Sequence, residues 1–250
     1  MNKLDQKILL TGGSGLLGSN IKSSEDFQNL LSPQKTEFNI TEEESIKEYF
    51  LNNDFDILIH AAALARMGEC EVNPLEAIKI NILGTSKLVN SVFKKQNQLN
   101  KKIKFIYIST DGVYKSSKGG YSETSETTPY NFYGWTKLQG ELAVSQLNDY
   151  CIIRTRFFDS KNITYENSAN DIFSSNLEVK SLVKKIAKLI EIDFKGIINI
   201  GEKRMSDYER YRQYVPNLKS CSREEIIKDL DYEISIDASM DLSLSKKLNI

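Results

Sequence analysis

An α/β fold with a doubly wound parallel sheet is predicted by three features of the sequence. A short apolar run at the N-terminus, Lys7 to Thr11, leads straight into a glycine-rich turn. Short apolar runs then alternate with helical stretches as far as Thr155, the pattern of strands joined by crossover helices. The buried run Ile103–Ile108 ends in Ser109-Thr110-Asp111, and Tyr133 and Lys137 follow four residues apart at the start of a helix.

Composition narrows the field. The chain has 250 residues, 40% hydrophobic and 27% charged, enough for one large domain or one and a half. The expected division is residues 1–155 as the nucleotide-binding domain and 156–250 as a small lobe interleaved with it. Lys plus Arg number 33 against 34 Asp plus Glu, so no nucleic acid or anionic membrane is expected as partner. No apolar run approaches the ~20 residues of a membrane span. The segment Met1–Lys7 enters the first strand directly, with no signal peptide, which points to the cytoplasm. Cys70, Cys151 and Cys221 are odd in number and far apart, and read as free thiols. His60 is the single histidine, so a multi-histidine metal site is excluded and no metal is expected.

In chain order, Gly12, Gly15 and Gly18 form Gly-x-x-Gly-x-x-Gly between strand and helix, with Leu16 and Leu17 inside it. The spacing suits a tight turn, room for a pyrophosphate against the backbone, and close helix–sheet packing, with free helix N–H groups for the phosphates. The alternative is a plain glycine-rich turn. The second strand is placed at Lys35–Ile40, with Glu37 as a weak candidate for the acid that holds the adenosine ribose. Thr41-Glu42-Glu43-Glu44 resembles a helix cap with an acidic first turn. Asp56–His60 is the third strand. It ends in Ala61, Ala62 and Ala63, small residues that let a cofactor approach, or that simply pack a helix on the sheet. Asn73-Pro74 opens a long helix. Asn81 is polar on the face toward the sheet, either a structural hydrogen-bonder or part of a proton relay. The fourth strand is the Ile103 run. The loop Tyr114–Glu123 is expected at the carboxyl ends of the strands, where ligands bind. A helix from Tyr130 to about Leu147 and a fifth strand at Tyr150–Thr155 follow. Beyond Arg156 come a loop, a helix over Leu177–Ile192, a strand over Lys195–Gly201, and helices capped at Ser206-Asp207 and Ser222-Arg223.

Tyr133, Lys137 and Thr110 carry the chemistry. A phenol can give a proton, an ammonium beside it lowers its pKa, and a hydroxyl can orient the same substrate oxygen, the parts needed to reduce a carbonyl or oxidise an alcohol. A lone Tyr-x-x-x-Lys is more often an ordinary helix face, so its weight comes from the glycine turn ahead of it.

Taken together in order, Thr11–Gly18, Phe38–Thr41, His60–Ala63, Ile80–Thr85, Ser109–Tyr114 and Tyr133–Glu141 resemble the extended short-chain dehydrogenase/reductases acting on nucleotide sugars. The Ser-Thr-Asp segment, Pro129–Gly134 and Arg154-Thr155 are most similar to the dTDP-4-dehydrorhamnose reductases. The resemblance implies a Rossmann-like fold with a small C-terminal substrate lobe, and NAD(P)H-dependent reduction of the 4-keto group of a nucleotide-linked deoxysugar. Alternatives within the fold are an NAD-dependent epimerase and a non-catalytic nucleotide-binding regulatory subunit. The resemblance implies Thr110, Tyr133 and Lys137 as the catalytic set. It places Gly12, Gly15, Leu16, Leu17, Gly18, Asn39, Ile40, Ala61, Ala62, Ala63, Asn81, Ser109, Tyr133 and Lys137 around the cofactor. NADP is preferred slightly to NAD, because Lys35 is near enough in sequence to meet a 2′-phosphate. Arg154 or Arg156, with Lys115 and Arg204 behind them, are candidates for a substrate diphosphate, Arg154 with a structural role as its alternative. A homodimer is allowed. The chain departs from the family in a shortened crossover between the first two strands, in Met67-Gly68-Glu69 after the alanines, and in Gly112.

Overall fold

The computed structural model describes residues 6–228 and 230–250. The expected direct entry of Met1–Lys7 into the first strand falls largely on residues outside that range. The first half runs β1 (Ile8–Thr11), α1 (Leu16–Lys22), β2 (Leu30–Leu31), α2 (Glu43–Asn52), β3 (Ile57–His60), α3 (Met67–Val72) and α4 (Pro74–Ala77). A π-helical segment (Ile78–Gly84) joins α4 to α5 (Thr85–Leu99). Then come β4 (Lys104–Thr110), a 3₁₀ turn (Asp111–Val113), α6 (Phe132–Val144) and β5 (Tyr150–Thr155). The second half adds β6 (Phe157–Phe158), β7 (Asn167–Ala169), β8 (Phe173–Ser174), β9 (Leu177–Glu178), α7 (Val179–Glu191) and β10 (Gly196–Ile200). It ends with β11 (Met205–Ser206), α8 (Asp207–Tyr211), β12 (Lys219–Cys221), α9 (Arg223–Ile227) and α10 (Ser243–Lys247).

Six strands form one parallel sheet in the order β10-β5-β4-β3-β1-β2. Successive side chains of a strand point to opposite faces, so each apolar run feeds two cores at once. Ile8, Leu10, Ile57, Ile59, Ile106 and Ile108 pack on one face with Leu17 and Ile21 of α1 and Leu182, Ile186 and Ile190 of α7. Leu9, Leu58, Phe105, Tyr107 and Ile152 pack on the other with Ile46 and Phe50 of α2 and Leu88 and Val92 of α5. Although α7 and β10 lie beyond residue 156, both are built into this sheet layer. After β2 the winding reverses, and β1 and β3 lie side by side at the switch point, where open α/β sheets leave a crevice at their carboxyl ends.

The second strand is not at Lys35–Ile40. It is Leu30–Leu31, paired in parallel with Ile8 and Leu9, and Lys35–Glu37 form a turn instead. Glu37 closes that turn by accepting from the Gln34 N–H at 2.8 Å, which removes it from the position of a ribose acid. Thr41 does not cap α2 either: its hydroxyl donates to Asn39 Oδ1 at 3.0 Å, and Glu42 stands at the N-cap without a side-chain capping bond to the helix. The short strands of the second half pair as β6 with β9, β7 with β12 and β8 with β11. Both Ser206 and Ser222 open their helices with full capping boxes to Glu209 and Glu225. Among the described residues no helix is long and apolar enough to cross a membrane, and all three cysteines are free and buried.

Candidate active site

A cleft of about 1020 Å³ opens over the carboxyl ends of β1, β3, β4 and β5. A narrower hollow of about 270 Å³ continues from it past β2, and the two share Gly12, Gly15, Ala61 and Ala63. Every residue of the catalytic and cofactor sets that the resemblance implies, except Asn81, lines one or the other. In the turn after β1, Gly12 has φ +77°, and a Cβ there would sit 2.6 Å from the Ala62 nitrogen; at Gly18 it would sit 2.1 Å from the Gly12 oxygen. The chain's own packing therefore demands glycine at both places. At Gly15 a Cβ would meet only the Gly12 oxygen, at an ordinary 3.4 Å. The protein does not require that glycine, and the open backbone beside it is the space a phosphate group needs.

The hydrogen bonds behind this turn hold the strand ends together. His60 is fully buried, with Nδ1 2.7 Å from Thr11 Oγ1 and Nε2 3.0 Å from Thr85 Oγ1. The Thr85 hydroxyl already donates to the Asn81 carbonyl at 2.7 Å, so His60 donates from Nε2 and accepts at Nδ1. Burial, with the Lys137 charge adding to it, holds His60 down at about 3, and the ring stays neutral. Asn81 is a clamp: its amide donates to the Leu64 carbonyl and to Thr136 Oγ1, and its oxygen accepts from the Leu64 N–H at 2.9 Å. Of the two roles open to it, the hydrogen bonds fit the structural one.

Tyr133 and Lys137 lie one turn apart on α6, whose start is fixed by Asn131: its side-chain oxygen accepts from the Gly134 N–H at 2.8 Å. Lys137 is only 2% exposed, and its Nζ lies 3.9 Å from the centroid of the Tyr107 ring beneath the helix. Burial pulls the Lys137 ammonium down to about 7, with Glu141 opposing. The Tyr107 ring face offsets part of that cost. The Tyr133 phenol is raised above its ordinary value, first by burial and then by Cys70 and Asp111. The expected lowering of the Tyr133 pKa by Lys137 is thus reversed: desolvation prevails while the ammonium rests on Tyr107.

Thr110 ends β4. Its hydroxyl accepts from the Gly112 N–H at 3.1 Å and donates to Asp111 Oδ1 at 3.2 Å. Asp111 is fully buried and pairs with Arg156 Nε at 2.9 Å. Burial raises the Asp111 carboxyl, and Arg156 opposes that rise. The candidates for a substrate diphosphate separate clearly. Arg154 is 4% exposed and fully engaged: Nε and Nη2 hold Glu141, and Nη1 donates to the Tyr114 hydroxyl and the Glu123 carbonyl. It is a structural residue and is withdrawn as a diphosphate ligand. Glu141 also accepts from the Ser109 hydroxyl. Arg204 pairs with Asp237 at 2.7 Å, and Lys115 lines a different hollow. Arg156 faces the cleft.

The loop Tyr114–Glu123 does not line the cleft. Its backbone is bonded to residues 236–241, as in Ile236 N–H to Ser116 O at 2.9 Å and Tyr121 N–H to Ser239 O at 3.1 Å. The facing wall consists instead of Arg66, Met67, Glu69, Tyr130, Arg156, Tyr165 and Tyr232. Tyr130 stands beside Asn131 in a stretch already singled out. Tyr165 and Tyr232 sit in irregular chain with no sequence pattern to mark them.

The family model described as the RmlD substrate binding domain matches residues 6–180. A dTDP-4-dehydrorhamnose reductase of Mycolicibacterium smegmatis is 28% identical over 160 residues, 62% of this chain and 46% of that protein. Methionine adenosyltransferase 2 subunit beta of Rattus norvegicus is also 28% identical, over 59% of this chain and 45% of its own. The chain therefore spans about half the length of the curated relatives it matches. A dTDP-4-dehydrorhamnose reductase of Bacillus anthracis, solved in complex with NADP, superposes with a TM-score of 0.84 at 22% identity, over 97% of this chain and 92% of that one, a likeness of fold. With a match running across most of its length, the chain belongs to the RmlD substrate binding domain family.

Proposed function

We propose that the protein is an NAD(P)H-dependent oxidoreductase of the extended short-chain type that reduces the 4-keto group of a nucleotide-linked deoxysugar. The observation that carries this reading is the meeting of Thr110, Tyr133 and Lys137 in a cleft continuous with the glycine turn. The open backbone at Gly15, the alanines after β3 and the hollow past β2 fit a dinucleotide laid across the switch point. When bound, the dihydronicotinamide supplies the hydride. Tyr133 gives its proton to the keto oxygen, and its raised pKa keeps that proton in place through neutral pH. Thr110 has one hydroxyl proton, directed at Asp111; it serves the keto oxygen by turning from that carboxylate. Lys137 holds the ribose next to the nicotinamide by leaving the Tyr107 face. NADP(H) is preferred to NAD(H), because among the described residues no acid lines the adenosine end of the hollow.

A panel of nucleotide-linked 4-keto sugars carrying dTDP, UDP or GDP, assayed for NADPH and NADH oxidation, tests the proposal. Turnover of at least one is expected. A second reading, a nucleotide-binding subunit that serves another enzyme, is favoured by the match to the rat methionine adenosyltransferase 2 subunit beta. Tight dinucleotide binding with no turnover of any keto sugar would select it.

A further inference from the structure

His60 is the single histidine of the chain and takes no part in the chemistry proposed above, yet it is fully buried and bonded at both ring nitrogens. The rings of Phe105 and Tyr107 pack on it, with centroids 6.0 and 5.6 Å away, and confine the imidazole. From Nδ1 the hydrogen bonds lead to the dinucleotide end of the cleft. The Thr11 hydroxyl donates to Nδ1 and accepts from the Ala62 N–H at 3.4 Å, and Thr11 and Ala62 both line the hollow. From Nε2 they lead to the acid. Nε2 donates to the Thr85 hydroxyl, which donates to the Asn81 carbonyl; the Asn81 amide donates to Thr136 Oγ1 at 2.9 Å, and the Thr136 hydroxyl donates to the Tyr133 carbonyl at 2.8 Å. Each hydroxyl has one proton and a backbone carbonyl only accepts, so the direction of every bond is fixed. The group between Thr11 and Thr85 must accept on one edge and donate on the other. A neutral imidazole meets that need, and burial keeps this one neutral.

We propose that His60 is a positioning residue, which sets the turn that receives the dinucleotide against the helix that carries the Tyr133 proton. This rests on the reading of the cleft as a reductase site. Hydride must reach the carbon and a proton the oxygen of one keto group, and the two are delivered from different parts of the sheet layer. The dinucleotide lies over the turn after β1, and α6 packs on β4. β3, which ends in His60, lies between β1 and β4. A misplacement of about 1 Å between reacting groups costs on the order of 10²-fold in rate.

The test is NMR on the full chain carrying isotopically labelled histidine, in which His60 gives the only ring signals. At neutral pH the ring should be the Nε2–H tautomer. Saturating NADPH, and separately Thr136→Val, should each shift the Nε2–H resonance, although Thr136 is not bonded to the ring; a side chain that only fills the core would not respond in both. In turnover, His60→Leu should lower kcat by up to ~10²-fold with a smaller loss of NADPH affinity, and His60→Gln, which keeps a donor for Thr85, should recover part of it. An Nδ1–H tautomer, a resonance that stays in place in either arm while NADPH binds, or wild-type turnover by His60→Leu overturns this proposal alone. Absence of NADPH binding overturns the reductase reading and this proposal with it.

Discussion

The two walls of the cleft are built in different ways. The wall bearing the glycine turn, Thr110, Tyr133 and Lys137 hangs from the carboxyl ends of β1, β3 and β4 and the first turns of α6. The facing wall takes Arg66 and Glu69, Arg156, Tyr165 and Tyr232 from four separate stretches, and Tyr165 lies between strands only two and three residues long. Backbone fixed by a six-stranded sheet opens only at high cost, whereas short strand pairs open cheaply. Reacting groups need a rigid mounting, and the part that meets the variable half of a substrate does not. Two arginines at the end of β5 stand on either side of this divide: Arg154 is closed into the core by Glu141, and Arg156, two residues on, reaches the cleft.

The largest effect expected on the rigid wall is that of Tyr133→Phe, which keeps the ring and removes the acid. Turnover should fall by ~10²–10⁴-fold with cofactor binding retained. The pH profile sharpens the point. With the phenol raised by burial, its proton is lost only on the alkaline side, so the limb that Tyr133 sets should lie above the ordinary tyrosine value of ~10. A limb well below that value belongs to Lys137, through loss of its own charge at about 7 or through its lowering of the phenol once turned from Tyr107. Wild-type turnover by Tyr133→Phe would remove the assignment altogether.

The next effect separates the walls by stability. Glu141→Ala leaves the buried Arg154 guanidinium without its carboxylate and should cost about 3–5 kcal/mol in urea unfolding. Tyr165→Ala on the facing wall removes an exposed ring that lies tilted against Tyr211, and should cost less than ~1.5 kcal/mol. Comparable losses would mean that the two walls are equally rigid.

A smaller effect, on the order of a few kcal/mol at most, belongs to Lys137. Its folded-state pKa, about 7, lies below the unfolded value of ~10.4, so between these values the unfolded chain binds the extra proton. Stability should rise with pH over that window, fall back as pH drops to about 7, and show no further Lys137 contribution below it. In Lys137→Met that slope should vanish. A slope that persists in the variant would assign it to another group.

Read without its fold, the chain already shows most of the catalytic wall. Strands buried on both faces must be continuous apolar runs, which is why β1, β3, β4 and β5 are visible as Ile, Leu and Phe clusters between polar turns. The spacing of Tyr133 and Lys137 follows from helix periodicity, and the glycine turn from the conformations its backbone must adopt. β2 was hidden because two leucines in a polar stretch become a strand only by pairing with Ile8 and Leu9, a contact set by the placing of the whole sheet. The π segment at Ile78–Gly84 was hidden too, since the Thr85-to-Asn81 bond at its end belongs to a network that runs through His60. Local sequence determined which residues could act, because periodicity and turn chemistry are properties of neighbouring residues. Which of them are free to act was decided only in three dimensions: Glu141 captures Arg154, Tyr107 receives Lys137, and the Ser32 hydroxyl is left without a partner among the described residues. Charge pairing and desolvation depend on groups distant in the chain, and those come together only when the sheet is formed.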